Sequence, residues 1–287
     1  MELKTYYVVV DSCGIPILSN GDMGCPVWMH STAKPIQLLP FLDRGLNRKY
    51  SLTTEEVVLL ASSHLAQPQH VDALLSILRK TELDEDELIL SPASPHGRIS
   101  YRNWLAHFEE KKKRYHPCAG NHMAIMLLQR ELTGRTTGYE RIESPAQQEI
   151  LQYIEEYTGV KPMLKKDNCG IPTYGVPLSR IAASYQKLAT SSPLSSIESL
   201  MNAIHSVPVM LEGDGCISTV LCSDRNLIAK TGSNHLLAIG SQAKKIGLAI
   251  IAEDRWENVI QTLCGISSQI GIFNDKVSCK LKHITYS

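Results

Sequence analysis

The chain lacks an excess of either charge: Lys plus Arg and Asp plus Glu both number 29 among 287 residues, so the formal net charge is zero with neutral histidines. No global field then favours nucleic acid or an anionic membrane. It also lacks any apolar run near the ~18 residues that span a bilayer. Its start, MELKTYYVVV, reaches an aspartate too soon to supply the apolar region of a signal peptide. A soluble, cytoplasmic protein with no nucleic-acid or membrane partner is expected. The cysteines at 13, 25, 118, 169, 216, 222, 264 and 279 include no CxxC pair, and a chain this long needs no stapling, so most are expected to be reduced thiols. There is no internal repeat and no low-complexity tract. The one dense basic run, Lys111-Lys112-Lys113-Arg114, follows Glu109-Glu110 and reads as the solvated face or end of a helix.

What is present is a composition of 43% hydrophobic and 20% charged residues, enough for one large domain or two smaller ones. Residues 4–11 (KTYYVVVD) and 15–19 (IPILS), separated by Cys13-Gly14, predict an N-terminal β-hairpin. From 31 to 205 the pattern is mostly helical: IQLLPFL, TEEVVLLASS, QHVDALLSILRK, NHMAIMLLQREL and PAQQEILQYIEEY space apolar residues by three or four. SPASPHG at 91–97 and TSSPLSS at 190–196 read as loops. Beyond 215, CISTVLC, NLIAK, HLLAIG and KIGLAIIAE read as strands and WENVIQTLCGI as a helix.

Isolated hairpins are marginal, so the N-terminal hairpin should join the C-terminal strands. The predicted fold class is α/β of the α+β kind: an antiparallel sheet from residues 1–30 and 206–287, with a mainly helical portion, 31–205, between them. A small-molecule site is expected in the cleft between the two.

His30-Ser31-Thr32-Ala33-Lys34 contains Ser-x-x-Lys, which in the first turn of a helix puts hydroxyl and amine on one face. A neutral lysine can take the serine's proton and make it a nucleophile. Bringing a lysine from ~10.4 to ~7–8 takes roughly 3–5 kcal/mol, from burial or a second cation. The motif also occurs at Ser184/Lys187 and Ser241/Lys244. Ser184 lies deep in a helical pattern and Ser241 in a turn between strands, so both are expected to be surface residues. Ser31 instead follows strand-breaking residues and opens an apolar helix, where Pro35 falls within the first turn.

Lys230-Thr231-Gly232 occurs once, at the end of the strand NLIAK. An early Ser-x-x-Lys, a middle hydroxyl and a late Lys-Thr-Gly is the chain order of the serine β-lactamase and penicillin-binding-protein signature. Lys230 would lower the pKa of Lys34 and attract a substrate carboxylate, and the strand backbone could contribute to an oxyanion hole. Ser63, in Ala61-Ser62-Ser63-His64, is the candidate for relaying a proton to the leaving group.

Five segments resemble the asparaginases typified by the inducible rhizobial enzyme: HSTAKPIQLLP at 30–40, SSHLAQPQHV at 62–71, CAGNHMAIM at 118–126, DNCGIPTYGVPL at 167–178 and AKTGSNH at 229–235. They lie in family order across nearly the whole chain. The resemblance implies a β-lactamase-like fold, usually dimeric, and hydrolysis of L-asparagine to L-aspartate and ammonia. It implies Ser31 and Lys34 as the catalytic pair with Ser63 and Lys230 in support, and His64, Thr231 and Gly232 as substrate contacts. It also implies a zinc ion at Cys118 and Cys169, with a lysine three residues after the first cysteine, where this chain has Asn121. His122 or Asp167 could complete a tetrahedral set, and two buried free thiols are the alternative. The family's GAEG stretch is replaced by Ser233-Asn234-His235, which bears on the substrate. The rival readings are a β-lactamase or peptidase-like acyl hydrolase, and a non-catalytic amino-acid-binding paralogue.

Overall fold

The computed structural model describes residues 5–192 and 194–284; Lys4, at the head of the first expected strand, and Pro193, inside TSSPLSS, lie outside them. Strand β1 (Thr5–Val10) returns antiparallel as β2 (Pro16–Asn20), forming the predicted hairpin. Asp11 holds the turn by accepting from the backbone N–H groups of Cys13 and Ile15 at 2.8 and 2.9 Å. The other edge of β1 pairs antiparallel with the late strand β8 (Ile246–Ala252), in register from Thr5 opposite Ala252 to Val10 opposite Gly247. With β7 (Leu236–Ser241) and β6 (Leu227–Gly232) this makes a five-stranded sheet in the order β2-β1-β8-β7-β6. The predicted union of N- and C-terminal strands is the architecture observed.

The region between begins with β3 (Pro26–Trp28) and a 3-10 turn, His30–Ala33, that runs into helices α1 (Lys34–Gln37), α2 (Leu39–Asp43) and α3 (Leu46–Lys49). Helices α4 (Thr54–Leu60), α5 (Pro68–Thr81), α6 (Arg98–Ala106), α7 (Ala119–Thr133) and α8 (Pro145–Thr158) follow. Thr53 and Glu56 form a reciprocal capping box that starts α4. The run at 162–177, inside the portion expected to be mainly helical, is instead a hairpin. Strands β4 (Met163–Lys166) and β5 (Pro172–Pro177) pair antiparallel, and β3 joins them in a second, three-stranded sheet. The tight turn at Asp167–Gly170, closed by Gly170 N–H to Asp167 O at 2.9 Å, makes this possible.

Helix α9 (Leu178–Ala189) packs against β8, β7 and β1 through Leu178, Ile181, Ala182, Tyr185, Leu188 and Ala189, an i, i+3, i+4 stripe. Its close approach depends on two glycines that face each other across β7 and β8. A Cβ on Gly247 would lie 1.9 Å from Ala182 O, and one on Gly240 would lie 2.1 Å from Tyr185 O. Helix α10 (Ser196–Ser206) completes the helical portion.

The run CISTVLC, expected as a strand, is helix α11 (Ile217–Cys222). Its buried apolar residues Ile217, Val220 and Leu221 are spaced i, i+3, i+4, and this packing overrides the β-branched composition. Helices α12 (Trp256–Ile270) and α13 (Asp275–Lys282) end the described chain. Among the described residues no helix is long and apolar enough to cross a membrane.

Gly247→Ala should destabilise the protein by about 3 kcal/mol or more, because its methyl meets a backbone carbonyl that cannot retreat without moving α9. Gly265, exposed on α12 with open space at its Cβ position, is the contrasting site. There Ala should stabilise by ~0.5–1 kcal/mol. Urea denaturation followed by circular dichroism checks both.

Candidate active site

Ser31 is seated by the small sheet. Strand β3 is paired with β5, and the backbone then continues this contact: Met29 N–H donates to Tyr174 O at 2.9 Å and His30 N–H to Thr173 Oγ1 at 3.0 Å. His30 has φ 46°, in the left-handed region, where histidine is among the better tolerated side chains. This kink turns the chain from strand into the 3-10 turn that carries Ser31. The buried His30 ring is held by Asp167, Nδ1 to Oδ1 at 3.0 Å. Burial alone would push the Asp167 carboxyl up, but the His30 contact outweighs it and leaves the carboxyl below its usual range.

Lys34, 3% exposed, lies one turn beyond the partly exposed Ser31. Its ammonium donates to Ser62 O at 2.6 Å, Ser63 Oγ at 3.0 Å and Cys118 Sγ at 3.4 Å. Ser31 Oγ makes no hydrogen bond to Lys34 or to any other described residue. Ser63 lies just past α4 in an extended segment whose backbone is fixed by Ser63 N–H to Leu211 O at 3.0 Å and Leu65 N–H to Glu212 O at 2.9 Å. The structure thus brings Lys34, Ser63 and Cys118 together.

Cys118 and Cys169 are neighbours, as the resemblance implies. A hydrogen bond from the Cys169 thiol holds Cys118 well below the usual thiol range, helped by Lys34, while the same bond and burial push Cys169 up. Cys118 also caps α7, where the helix dipole favours a thiolate. The residues present do not fit a zinc site. Asn121 offers only a neutral amide, both of whose polar atoms are buried without partners. Among the described residues, no three of His, Cys, Asp and Glu gather closely enough to hold a metal ion. His122 is committed elsewhere through Nδ1, 2.9 Å from Tyr139 OH, and burial lowers its pKa to about 3. A cavity of about 390 Å³, lined in part by His116, Lys166, Asp167 and Cys169, opens beside these thiols.

The Lys-Thr-Gly strand end packs directly on the Ser31 turn. A Cβ on Gly232 would lie 3.1 Å from both Met29 O and Thr32 Cγ2, so glycine is what lets β6 come this close. Lys230 is wholly buried, its ammonium 3.1 Å from Thr231 O and 3.5 Å from Thr231 Oγ1. Burial lowers its pKa to about 8; Glu212 opposes the shift and Lys34 adds to it. Lys230 has no exposed surface. The backbone N–H of Thr231, one of the strand donors considered for an oxyanion hole, is taken by Ser218 Oγ at 3.1 Å.

His64, expected as a substrate contact, is completely buried behind Ser63. Its Nδ1 accepts Ala66 N–H at 3.1 Å, its backbone N–H donates to Pro117 O, its buried Nε2 has no partner among the described residues, and burial holds the ring neutral. The two other Ser-x-x-Lys serines are not surface residues. Ser184 is buried and donates to Ile181 O, and Ser241 is buried and accepts from Asn226 Nδ2. Neither hydroxyl bonds its lysine's amine: Lys187 Nζ donates to Glu156 O, and Ser241 Oγ meets Lys244 through the backbone N–H, at 3.4 Å. Glu212, Ser218 and the His30–Asp167 pair carry no motif that spacing alone would have singled out.

The sequence model of the L-asparaginase II family matches residues 4–284. The chain belongs to the L-asparaginase II family. No curated protein matches it. Among solved structures it is similar to simvastatin synthase (LovD) from Aspergillus terreus, in its LovD6 mutant form. That match has 12% identity over 87% of this chain and 86% of that one, with a TM-score of 0.35. Against this family membership the Asn121 substitution stands out, because the donor set around Cys118 and Cys169 has only two sulfurs.

Purified protein should carry substoichiometric zinc by elemental analysis, and a chelator should leave its melting midpoint unchanged. Lys230 gives a pH signature of known sign. Its folded pKa of about 8 lies below the unfolded value of 10.5, so between these the unfolded chain binds more protons and stability rises with pH. Lys230→Met should be the more stable protein below about pH 8, and its advantage should shrink as pH rises toward 10.5. Denaturant midpoints of the two proteins across pH 7–10.5 check this.

Proposed function

We propose that this protein is an amidohydrolase that releases ammonia from L-asparagine or a close amide, with Ser31 as nucleophile and Lys34 as base. The observation that carries this reading is the buried Lys34 Nζ, 3.0 Å from Ser63 Oγ and one turn from Ser31, whose turn packs under the Lys230-Thr231-Gly232 strand end. With Lys34 as the neutral amine, Ser31 Oγ attacks the carboxamide carbon and forms an ester bond while its proton passes to Lys34 Nζ. Ser63, hydrogen-bonded to that nitrogen, relays the proton to the departing amine, and the C–N bond breaks to release ammonia. Water then attacks the ester carbonyl, giving its proton back along the same path. The carboxylic acid leaves and the Ser31 hydroxyl is restored. Rotation of the Ser31 side chain is required to engage Lys34.

Ammonia release from L-asparagine and L-glutamine tests this. Ser31→Ala should lower the rate by about 10³-fold or more, and Ser63→Ala by about 10²-fold or more, both with wild-type circular dichroism. Wild-type turnover by Ser31→Ala would show that the nucleophile is another group.

A further inference from the structure

Glu212 belongs to no motif, yet it touches two parts of the site. Through its main chain, Leu211 and Glu212 hold the Ser63–Leu65 segment. Through its carboxylate, Oε1 accepts the Thr231 hydroxyl at 2.6 Å and Oε2 accepts Ser218 N–H at 3.1 Å. Both donors are neutral, and among the described residues no Lys, Arg or His forms an ion pair with it. The nearest cation in the site, Lys230, lies on the other side of the same hydroxyl, 3.5 Å from Thr231 Oγ1. Thr231 therefore spaces two opposite charges that would otherwise collapse into a direct pair.

The two charges differ in access. Lys230 has no exposed surface, whereas Glu212 is partly exposed. A partly desolvated carboxylate whose hydrogen bonds come only from neutral groups keeps its attraction for a cation, and each oxygen has a further lone pair to offer. Because Gly232 abuts Met29 O and Thr32, a cation drawn to Glu212 arrives beside the turn that presents Ser31.

We infer that Glu212 is the specificity residue that receives the α-ammonium group of an α-amino-acid amide docking against Thr231. This rests on Ser31 being the amidase nucleophile. It selects amides that carry an α-ammonium over otherwise identical amides that lack one.

The probes are L-asparagine and succinamic acid, the same molecule without the α-amino group. Binding is measured by calorimetry on the Ser31→Ala protein, which cannot consume either. The Ser31→Ala protein should bind L-asparagine more tightly than succinamate. Adding Glu212→Gln, which keeps the acceptor for Thr231 and removes only the charge, should weaken L-asparagine binding about 10- to 100-fold and succinamate binding less than about threefold. Equal losses for both probes would make Glu212 a prop for Thr231 and overturn the inference. So would a Ser31→Ala protein that has no preference for L-asparagine, or that binds neither probe. If Glu212→Gln does not fold, Glu212→Asp replaces it: a reduced preference supports the inference and an unchanged one overturns it. Ammonia release by the wild type reports separately on the amidase reading. No release alongside Glu212-dependent binding would overturn that reading and leave the ammonium site standing.

Discussion

The buried ammonium of Lys34 is the contact around which the site is arranged. A charge at 3% exposure is tolerable only when its donors are used, and here they go to a carbonyl, a hydroxyl and a sulfur. Those acceptors come from the segment after α4 and from the cap of α7, so one side chain ties its own turn to two stretches far away in sequence. The Ser63 segment is in turn fixed by the backbone of Leu211 and Glu212, and Glu212 reaches β6 through Thr231. The first helical turn is thus connected, acceptor by acceptor, to the strand that lies over it.

A second constraint is the way Ser31 is presented. The chain must leave β3 and enter a helix within two residues, and a left-handed His30 makes that turn, secured by Asp167 and Thr173. Local strain is tolerated where surrounding bonds over-determine it. At the neighbouring cysteines, Asn121 leaves two orphaned amide atoms, and Lys34 Nζ reaches Cys118 Sγ at 3.4 Å.

Much of this was legible in the chain. The hairpin around Cys13-Gly14, the late alternating strands and the order of Ser31, Ser63 and Lys230 all follow from local pattern and spacing. CISTVLC reads as a strand because so short a run, rich in β-branched and small residues, fits either period, and only the packing of Ile217, Val220 and Leu221 decides between them. The hairpin at 163–177 was hidden by charged residues in β4, which is exposed on most of its length. Ser184 and Ser241 looked like surface serines because a buried hydroxyl is recognisable only by its acceptor or donor, here in another turn or loop. Glu212 was invisible for a related reason: its partners, Ser218 and Thr231, are close in space through the turn of a helix and a strand, not through any repeating interval.

The pairing of β1 with β8 has a consequence for how the protein is made. Thr5 meets Ala252, so β1 leaves the ribosome long before the strand that covers its open edge. The strand bearing Lys230 and the glycine-paved seat for α9 are likewise synthesised long after Ser31 and Lys34. Contacts of such long sequence separation fold slowly and leave an unpaired edge exposed meanwhile. A nascent chain halted before residue 252 therefore holds Ser31 and Lys34 without the completed sheet that packs around them.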